Sequence, residues 1–279
     1  MKSFPADHGD RRSRPRALLT LIGRSKKARA VLSFRCDARY AALVTGVRAR
    51  VRAELTAEIK AIARRQIAED GPANINLRAI ARELGMVSSA IYRYFASRDE
   101  LLTALLVDAY NDLGEITERA DAAVAEVDPT DVEGRFVAVA TAAYAWARAE
   151  PNQYLLLFGT PVPGYSAPTD TVAPATRFTS VLLRILDEAG RLGARPVVVP
   201  AVPPGVPDDL QRVRDLTATA ASDELMLAGM QVWTALFGAI SFILNGQFRN
   251  VIGDVDAMFA EFARMLARQV FPHESDARR

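Results

Sequence analysis

The stretch that most constrains this chain is residues 76–105, where two short helical patterns meet at Gly85. In residues 77–84 the apolar side chains recur at the spacing of one helix face. In residues 88–95 a second apolar face is predicted to point inward. Glycine readily adopts the left-handed conformation that ends a helix. The pattern therefore predicts a helix-turn-helix, whose second helix can enter the major groove of DNA.

Short polar residues stand where the helices of this stretch are predicted to begin. Asn76 is placed to cap the first helix, because its side-chain oxygen can accept hydrogen bonds from free amides of the first turn. Ser97 and Glu100 have the spacing of a capping box, and leucines follow them. A third helix is therefore predicted from residue 98 to about residue 120.

Helical patterns continue along the rest of the chain. A helix over residues 48–70 precedes the helix-turn-helix, and Gly71-Pro72 stops it. Further helices are predicted over residues 129–150, 152–158, 171–189, 208–221, 223–246 and 255–270. Residues 190–207 are rich in proline and are expected to form an extended connector. The only β-branched run, at residues 197–199, is flanked by prolines, so the predicted fold class is all-α.

Positive charge is concentrated at the start of the chain. The formal net charge is +2, yet residues 1–45 are strongly basic and the remainder is acidic in balance. We predict that residues 1–45 form a mostly disordered basic extension with at most a short helix. Two explanations of this basic extension are open. Residues 1–43 can be a natural arm that attracts phosphate, or a gene-model extension, because the GTG codon of a valine such as Val44 can also start translation.

The residue types that most catalytic sites need are scarce. The chain has two histidines, His8 and His273, near its two ends, and one cysteine, Cys36. This excludes Ser-His-Asp and Cys-His catalysis and most zinc sites, so we predict no enzymatic activity, no metal and no cofactor. The sequence has no clear signal peptide and no run of about 18 apolar residues. We therefore expect a cytoplasmic protein without a membrane partner.

Residues 51–106 resemble the DNA-binding domain of the tetracycline-repressor (TetR) family. The likeness is carried, in order, by Ile80-Ala81, Leu84-Gly85, Ile91-Tyr92, Tyr94-Phe95 and Ser97-Arg98-Asp99-Glu100-Leu101-Leu102. The resemblance implies a helix-turn-helix domain at residues 46–97. A larger helical ligand-binding and dimerisation domain would occupy residues 98–273, with a tail at residues 274–279.

The later part of the chain resembles a class of this family marked by a Trp-His-Gly signature. Trp233 and Gly238 can be placed on that signature, whereas Phe237 stands where a histidine is expected. This departure leaves the position a packing role. A second departure lies at Val87, where the family usually has Ser or Thr. Valine cannot cap a helix, so we expect Ser88 to cap it, or the helix to start one residue later.

Polar side chains around the predicted recognition helix are expected to contact DNA. Serine hydroxyls can read base edges, and tyrosines suit contacts with phosphate or a thymine methyl group. The predicted DNA-binding residues are Arg48, Arg50, Asn76, Arg78, Ser88, Ser89, Tyr92, Arg93, Tyr94 and Arg98. Alternatives stay open: a solvated face for the arginines near residue 48, half-burial for Tyr92, and surface salt bridges for Arg78 and Arg98.

One module of this size buries too little surface for tight specific binding, so we expect a homodimer. It would place two recognition helices on half-sites about 34–36 Å apart in a near-palindromic operator of double-stranded DNA. The predicted interface residues are Val232, Leu236, Ile240, Ile243, Met258, Phe259, Phe262, Met265 and Leu266, and Gly229 would permit close helix approach. Packing within the subunit is the alternative for the last helix.

The resemblance also implies a small-molecule effector. The candidate pocket residues are Tyr110, Tyr144, Trp146, Tyr154, Phe158, Trp233 and Phe237. Their character suggests a mainly apolar ligand, although aromatic residues at helical spacing can equally be core. In the family mechanism, the ligand favours a conformation whose recognition helices no longer match the operator, and repression ends. The alternative is a DNA-binding regulator that is independent of ligand or controlled by a partner.

Overall fold

The computed structural model describes residues 26–271, with side chains from residue 46 onward. Every regular element in that range is helical, so the predicted all-α class is confirmed. The chain divides into two units, residues 1–57 and residues 58–279. The predictions for residues 1–25 and 274–279, and those for His8, His273 and the side chain of Cys36, lie outside the described residues.

The described α-helices follow one another with connections of one to 14 residues. The α-helices are α1 (Lys26–Asp70), α2 (Leu77–Glu83), α3 (Arg98–Val127), α4 (Val132–Ala149), α5 (Pro151–Phe158), α6 (Val172–Arg191), α7 (Val206–Thr217), α8 (Asp223–Leu244) and α9 (Val255–Val270). Short 3-10 turns cover Pro72–Asn74, Ile91–Arg93 and Thr169–Thr171. As predicted, the proline-rich connector before α7 is largely non-helical.

Two helices are longer than the sequence predicts. α1 begins at Lys26 rather than at residue 48, so helix occupies part of the extension that is predicted to be mostly disordered. Residues 26–45 contain neither proline nor glycine and are rich in alanine and arginine, which favour helix. α3 continues to Val127 rather than ending near residue 120, because its last turns are again alanine-rich.

Two hydrophobic cores lie along the second unit, and α3 contributes to both. The first, here the DNA-binding core, includes Ile59, Ile80, Ile91 and Leu101. The second is built from α3 to α9 and begins on α3 with Ala109 and Leu113. We call it the effector core, after the ligand-binding role that the family resemblance leads us to expect. The predicted boundary between residues 97 and 98 therefore falls at the first turn of a helix that both cores share.

Close helix contacts and one buried ion pair order the effector core. A Cβ at Gly229 would lie 2.5 Å from Leu186 Cδ1. The close approach predicted for this glycine therefore occurs, but between α8 and α6 of the same subunit. Arg135 of α4 and Asp121 of α3 are both buried, and two hydrogen bonds of 2.8 and 3.2 Å join them.

Among the described helices, α8 is long and apolar enough to cross a membrane by length and composition alone. Its most apolar window has a mean hydropathy of 1.7 and is 22% buried. Core helices of soluble proteins pass the same test, and one face of α8 does lie in the effector core. The face that remains exposed is described below.

Candidate DNA-binding interface and effector domain

α2 ends in a left-handed glycine turn, as the sequence predicts. Gly85 has a φ of 65°. Its amide donates to the Arg82 carbonyl at 3.1 Å, and the Met86 amide donates to the Ala81 carbonyl at 2.8 Å. These two bonds form a Schellman motif, which satisfies carbonyls at the helix end. The turn sets the direction in which the chain leaves α2.

The caps predicted at Asn76 and Ser97 are present. The side-chain oxygen of Asn76 accepts from the amides of Arg78 and Ala79 at 3.0 and 3.1 Å. The Ser97 hydroxyl accepts from the Glu100 amide at 3.1 Å, and the Glu100 carboxylate accepts from the Ala96 amide. These caps fix the starts of α2 and α3 on either side of the recognition segment.

The recognition segment, residues 87–95, is not the α-helix that the sequence predicts. The chain turns at residues 88–90 and forms a 3-10 turn at Ile91–Arg93. Its bonds are mostly of the i to i+3 type, including Ala90 amide to Val87 carbonyl at 2.8 Å. No side chain caps the 3-10 turn, so the cap predicted for Ser88 is absent. A short segment without a cap gains little from α-helical bonding, because helix nucleation is costly.

The inward and outward faces of this segment have the predicted orientation except at Tyr94, which was expected to face DNA. Ile91 and Phe95 are buried in the DNA-binding core. Ser88, Ser89, Tyr92 and Arg93 are exposed, and Tyr92 keeps 43% of its surface in solvent. Tyr94 is the half-buried tyrosine and packs against the same core. The half-burial considered for Tyr92 therefore applies to Tyr94 instead.

The arginines proposed for phosphate contact differ in their solvent exposure and hydrogen bonding. Arg78 is exposed at the start of α2. Arg98 is partly buried and donates to the Pro72 carbonyl at 3.1 Å, with Asp99 3.5 Å away. It therefore ties the start of α3 to the turn that follows α1. Arg48 and Arg50 are exposed on α1 within the first unit.

Ion pairs that were not predicted from the sequence hold residues 58–70 of α1 within the second unit. Lys60 and Arg64 both pair with Asp108 of α3, at 2.8 and 2.9 Å. Arg65 pairs with Glu83 at the end of α2. Their sequence signal is weak, since the partners lie 18 to 48 residues apart. These contacts fix the helix-turn-helix on the helices that flank it.

Four of the seven predicted pocket aromatics meet in one place. Phe237 contacts Tyr154, Phe158 and Trp233, with ring centroids 4.4 to 6.2 Å apart. Phe178, which the prediction omits, joins them with its centroid 5.2 Å from that of Phe237. We call these five residues the aromatic cluster. Phe237, at the position where the Trp-His-Gly signature has its histidine, is thus a packing residue, as expected.

The Tyr154 hydroxyl anchors the cluster to α8. It donates to the Phe237 carbonyl at 2.9 Å and lies 2.8 Å from Ser241 Oγ. Burial raises the pKa of Tyr154, and the hydrogen bond with Ser241 acts in the opposite direction. The phenol therefore stays protonated at neutral pH and joins α5 to α8.

The other three pocket candidates lie elsewhere. Tyr144 stacks on Phe259 at 4.0 Å, and its hydroxyl bonds to Asp256 at 2.5 Å, which joins α4 to α9. Trp146 is buried in the effector core, and its indole nitrogen has no hydrogen-bond partner in the described structure. Tyr110 packs against the DNA-binding core. The seven residues therefore do not form one site.

Part of the predicted dimer interface lies inside the subunit. Val232, Leu236, Ile240 and Phe259 are at most 3% exposed and belong to the effector core, so a partner cannot reach them. The prediction is wrong for these four residues. α8 is apolar around most of its circumference, and its sequence alone does not show which face points inward.

The outward faces of α8 and α9 form an apolar hollow of about 340 Å³, here the α8–α9 groove. Its lining includes Phe262, Met265 and Leu266 from the predicted interface. The other lining residues are Ala235, Gly238, Ala239, Phe242, Phe248 and Gln269. Phe242 and Met265 are 57% and 51% exposed, which is high for large apolar side chains.

Comparison with known proteins covers both cores. The model of the bacterial regulatory proteins of the tetR family matches residues 59–105. The model of a tetracycline-repressor-like C-terminal domain matches residues 136–266. An HTH-type transcriptional regulator of Mycobacterium tuberculosis is 37% identical over 231 residues, which are 82% of this chain and 97% of the relative. A Mycobacterium bovis regulator matches equally well.

Solved structures have the same fold. The regulatory protein SCO4313 is 34% identical, with a TM-score of 0.64 over 78% of this chain and 97% of that one. PfmR, a TetR family transcriptional regulator from Thermus thermophilus, is 18% identical, with a TM-score of 0.51 over 75% and 97% of the two chains. Because PfmR is only 18% identical, this match supports the fold and nothing more specific.

Proposed function

Because this chain belongs to the tetR family of helix-turn-helix transcriptional regulators, we propose that it is a homodimeric repressor. It binds a near-palindromic operator in the cytoplasm and leaves the operator when a small, mainly apolar ligand binds. The matched families and relatives are transcriptional regulators, and we propose no enzymatic activity for this chain. The observation that carries the proposal is the exposed polar face of the recognition segment.

That face is suited to the major groove. Ser88, Ser89 and Tyr92 are exposed, while Ile91 and Phe95 hold the segment from below. Serine hydroxyls both donate and accept, so they can contact several base edges. The small exposed side chains of Ser88 and Ser89 allow the backbone to approach the groove closely. Arg78 adds a cation beside the segment that can contact phosphate.

The α8–α9 groove supports the dimer. An exposed apolar groove on two adjacent helices is costly in water, and a second copy of the same face covers it by two-fold symmetry. A Cβ at Gly238 would meet no atom within 4 Å. The glycine therefore relieves no crowding inside its own subunit. Its role, in this proposal, is to let a partner helix approach α8.

The effector domain offers an unsatisfied polar group for a ligand. The indole nitrogen of Trp146 is buried without a partner in the described structure, and such a group is costly unless something accepts its hydrogen bond. A mainly apolar effector with one acceptor would meet this need. By contrast, the residues of the aromatic cluster contact one another. This packing favours the second candidate function, a regulator without a ligand. A thermal-shift screen against apolar metabolites and antibiotics separates the two, because the second predicts no stabilising compound.

Tyr92→Ala tests the DNA-binding face. We expect the variant to lose operator binding in an electrophoretic mobility shift assay and to remain dimeric in analytical ultracentrifugation. Tyr110→Phe, which keeps the ring against the DNA-binding core, is the matched control and should bind normally. Normal operator binding by Tyr92→Ala would show that the recognition face is misplaced.

Gly238→Glu tests the dimer face without disturbing the subunit, because its side chain points into open space in the single chain. We expect a folded monomer with weak operator affinity. Leu216→Glu places the same charge on α7 at a side chain that is 85% exposed, outside the groove, and should remain dimeric. A dimeric Gly238→Glu variant would mean that the groove is not the interface.

A further inference from the structure

A second hollow lies where the DNA-binding core meets α5. One wall is the end of α1 and the turn that follows it, and the other is α5 with the loop after it. Its volume is about 450 Å³, within the roughly 300–1,000 Å³ typical of small-molecule sites. We call it the junction cavity. It is lined by Ile67, Ala68, Gly71, Pro72, Ala73, Asn152, Leu155, Leu156, Gly159, Thr160, Pro161, Val162 and Pro163.

The lining of the junction cavity selects for a neutral molecule. None of its lining side chains is charged, and most are apolar. A charged ligand would lose its hydration there without gaining an ionic partner. Asn152 and Thr160 supply hydrogen-bonding groups at one wall. A smaller hollow of about 70 Å³ shares Ile67, Asn152 and Leu156 with the cavity and is also lined by Leu105, Gln153 and two charged residues, Arg64 and Glu150.

Gln153 adds an unsatisfied acceptor beside the cavity. Its Oε1 is buried and has no hydrogen-bond partner among the described residues, while its Nε2 donates to Glu150 at 2.9 Å. An unpaired buried acceptor costs free energy that a ligand hydroxyl or amide can recover. The charges of the smaller hollow already have partners, because Arg64 pairs with Asp108 at 2.9 Å and Glu150 accepts from Gln153. The two hollows together therefore fit an apolar body that carries one hydrogen-bond donor.

The first wall of the cavity leads directly into the helix-turn-helix. The 3-10 turn Pro72–Asn74 is closely followed by Asn76, which caps α2. The Pro72 carbonyl also accepts from Arg98 at the start of α3. Movement of this wall would therefore be transmitted to the starts of two of the helices that position the recognition segment.

The second wall is connected to both cores. Tyr154 fixes α5 to the backbone of α8. On its other side, Leu156 and Val162 pack against the DNA-binding core, and the Tyr165 hydroxyl lies 2.9 Å from Thr103 Oγ1 of α3. α5 and its loop thus link α8, one of the two helices of the proposed dimer face, to the DNA-binding core.

We propose that the junction cavity binds a neutral, mainly apolar small molecule with a hydroxyl, amine or amide group, and that its occupation weakens operator binding. The site is distinct from the aromatic cluster and from Trp146. A molecule between the two walls contacts both, so its affinity depends on their spacing, and binding shifts the population toward the spacing it prefers. The effect on DNA rests on the proposed function, whereas binding of the molecule does not.

The test uses N-phenyl-1-naphthylamine, a neutral aromatic amine whose fluorescence rises in apolar sites. Ala68→Trp fills the cavity from α1, and Thr160→Trp fills it from the loop. Ala61→Trp is the matched control, because Ala61 is an exposed alanine seven residues, about two helical turns, before Ala68. We expect both filling variants to bind the probe about tenfold more weakly or worse, and the control to bind as the wild type does.

Operator affinity is measured with and without the probe in the same proteins. We expect the probe to weaken operator binding by the wild type and by Ala61→Trp, and to have little effect on either filling variant. Wild-type probe binding by both filling variants would overturn the proposal. If the filling variants lose probe binding but the probe does not change the operator affinity of the wild type, the regulatory part of the proposal is overturned. If the probe binds as expected but neither the wild type nor any variant binds the operator, the proposed function is refuted instead.

Discussion

The buried pair between Arg135 and Asp121 gives the sharpest stability prediction. The two side chains are 7% and 5% exposed, and the guanidinium also donates to the Pro129 carbonyl at 3.0 Å. Replacing Arg135 with methionine removes these donors and keeps the apolar part of the chain. Asp121 is then left buried with Arg184 as its remaining cation, 3.7 Å away and largely in solvent.

The expected cost of Arg135→Met is about 3–5 kcal/mol, since removing one partner of a buried pair leaves an uncompensated charge. The double variant Asp121→Leu, Arg135→Met removes both charges and fills the space with apolar atoms. We expect it to lie within about 1 kcal/mol of the wild type, because the desolvation cost of the pair disappears with its attraction. The two substitutions are therefore strongly non-additive.

Urea denaturation followed by circular dichroism measures both free energies of unfolding. The slope m should stay constant across the variants, so that midpoints can be compared directly. Our account of this pair would be refuted by an Arg135→Met variant that loses less than about 1 kcal/mol, or by a double variant as unstable as the single one.

Three smaller predictions concern single residues and pH. Gly85→Ala should cost about 1 kcal/mol in urea denaturation, because an alanine at a φ of 65° is strained; an unchanged midpoint would contradict the left-handed turn. Hydrogen bonding to Arg177 lowers the pKa of Glu118, so this carboxylate stabilises the fold at neutral pH and the gain is lost as pH falls through the lowered pKa. Glu118→Gln should flatten the acid side of a stability–pH curve, and an unchanged acid slope would count against this. Burial raises the pKa of Tyr154, so its contribution is complete below the ordinary tyrosine pKa and is lost as pH rises toward the raised value. Tyr154→Phe should flatten the alkaline side, and an equally steep decline in both proteins would refute it.

Local chemistry made the helix-turn-helix predictable from sequence. A glycine placed between two apolar periods, an asparagine cap and a capping box each act within a few residues. Gly85, Asn76 and Ser97 accordingly have the predicted roles. The 3-10 form of the recognition segment was not predicted, because Val87 led us to expect either a cap at Ser88 or a helix that starts one residue later.

Contacts between residues that are distant in the chain were harder to predict from the sequence. The sequence identifies α8 as apolar but does not decide which face is inward, and this is why Val232, Leu236 and Ile240 were assigned to a partner. The pairing of Arg135 with Asp121 has no local signature, since either charge alone is typical of a surface helix. The junction cavity likewise exists only after α1 and α5 pack together.

In the proposed dimer, two copies of the recognition segment act together on one operator. Hydroxyl-radical footprinting of the DNA upstream of the protein's own coding sequence tests this arrangement most directly. We expect two protected patches on one face of the duplex, centred about one helical turn or 34–36 Å apart. Both should disappear with Tyr92→Ala and weaken together with Gly238→Glu. A single protected patch, or protection that survives Tyr92→Ala, would contradict the account.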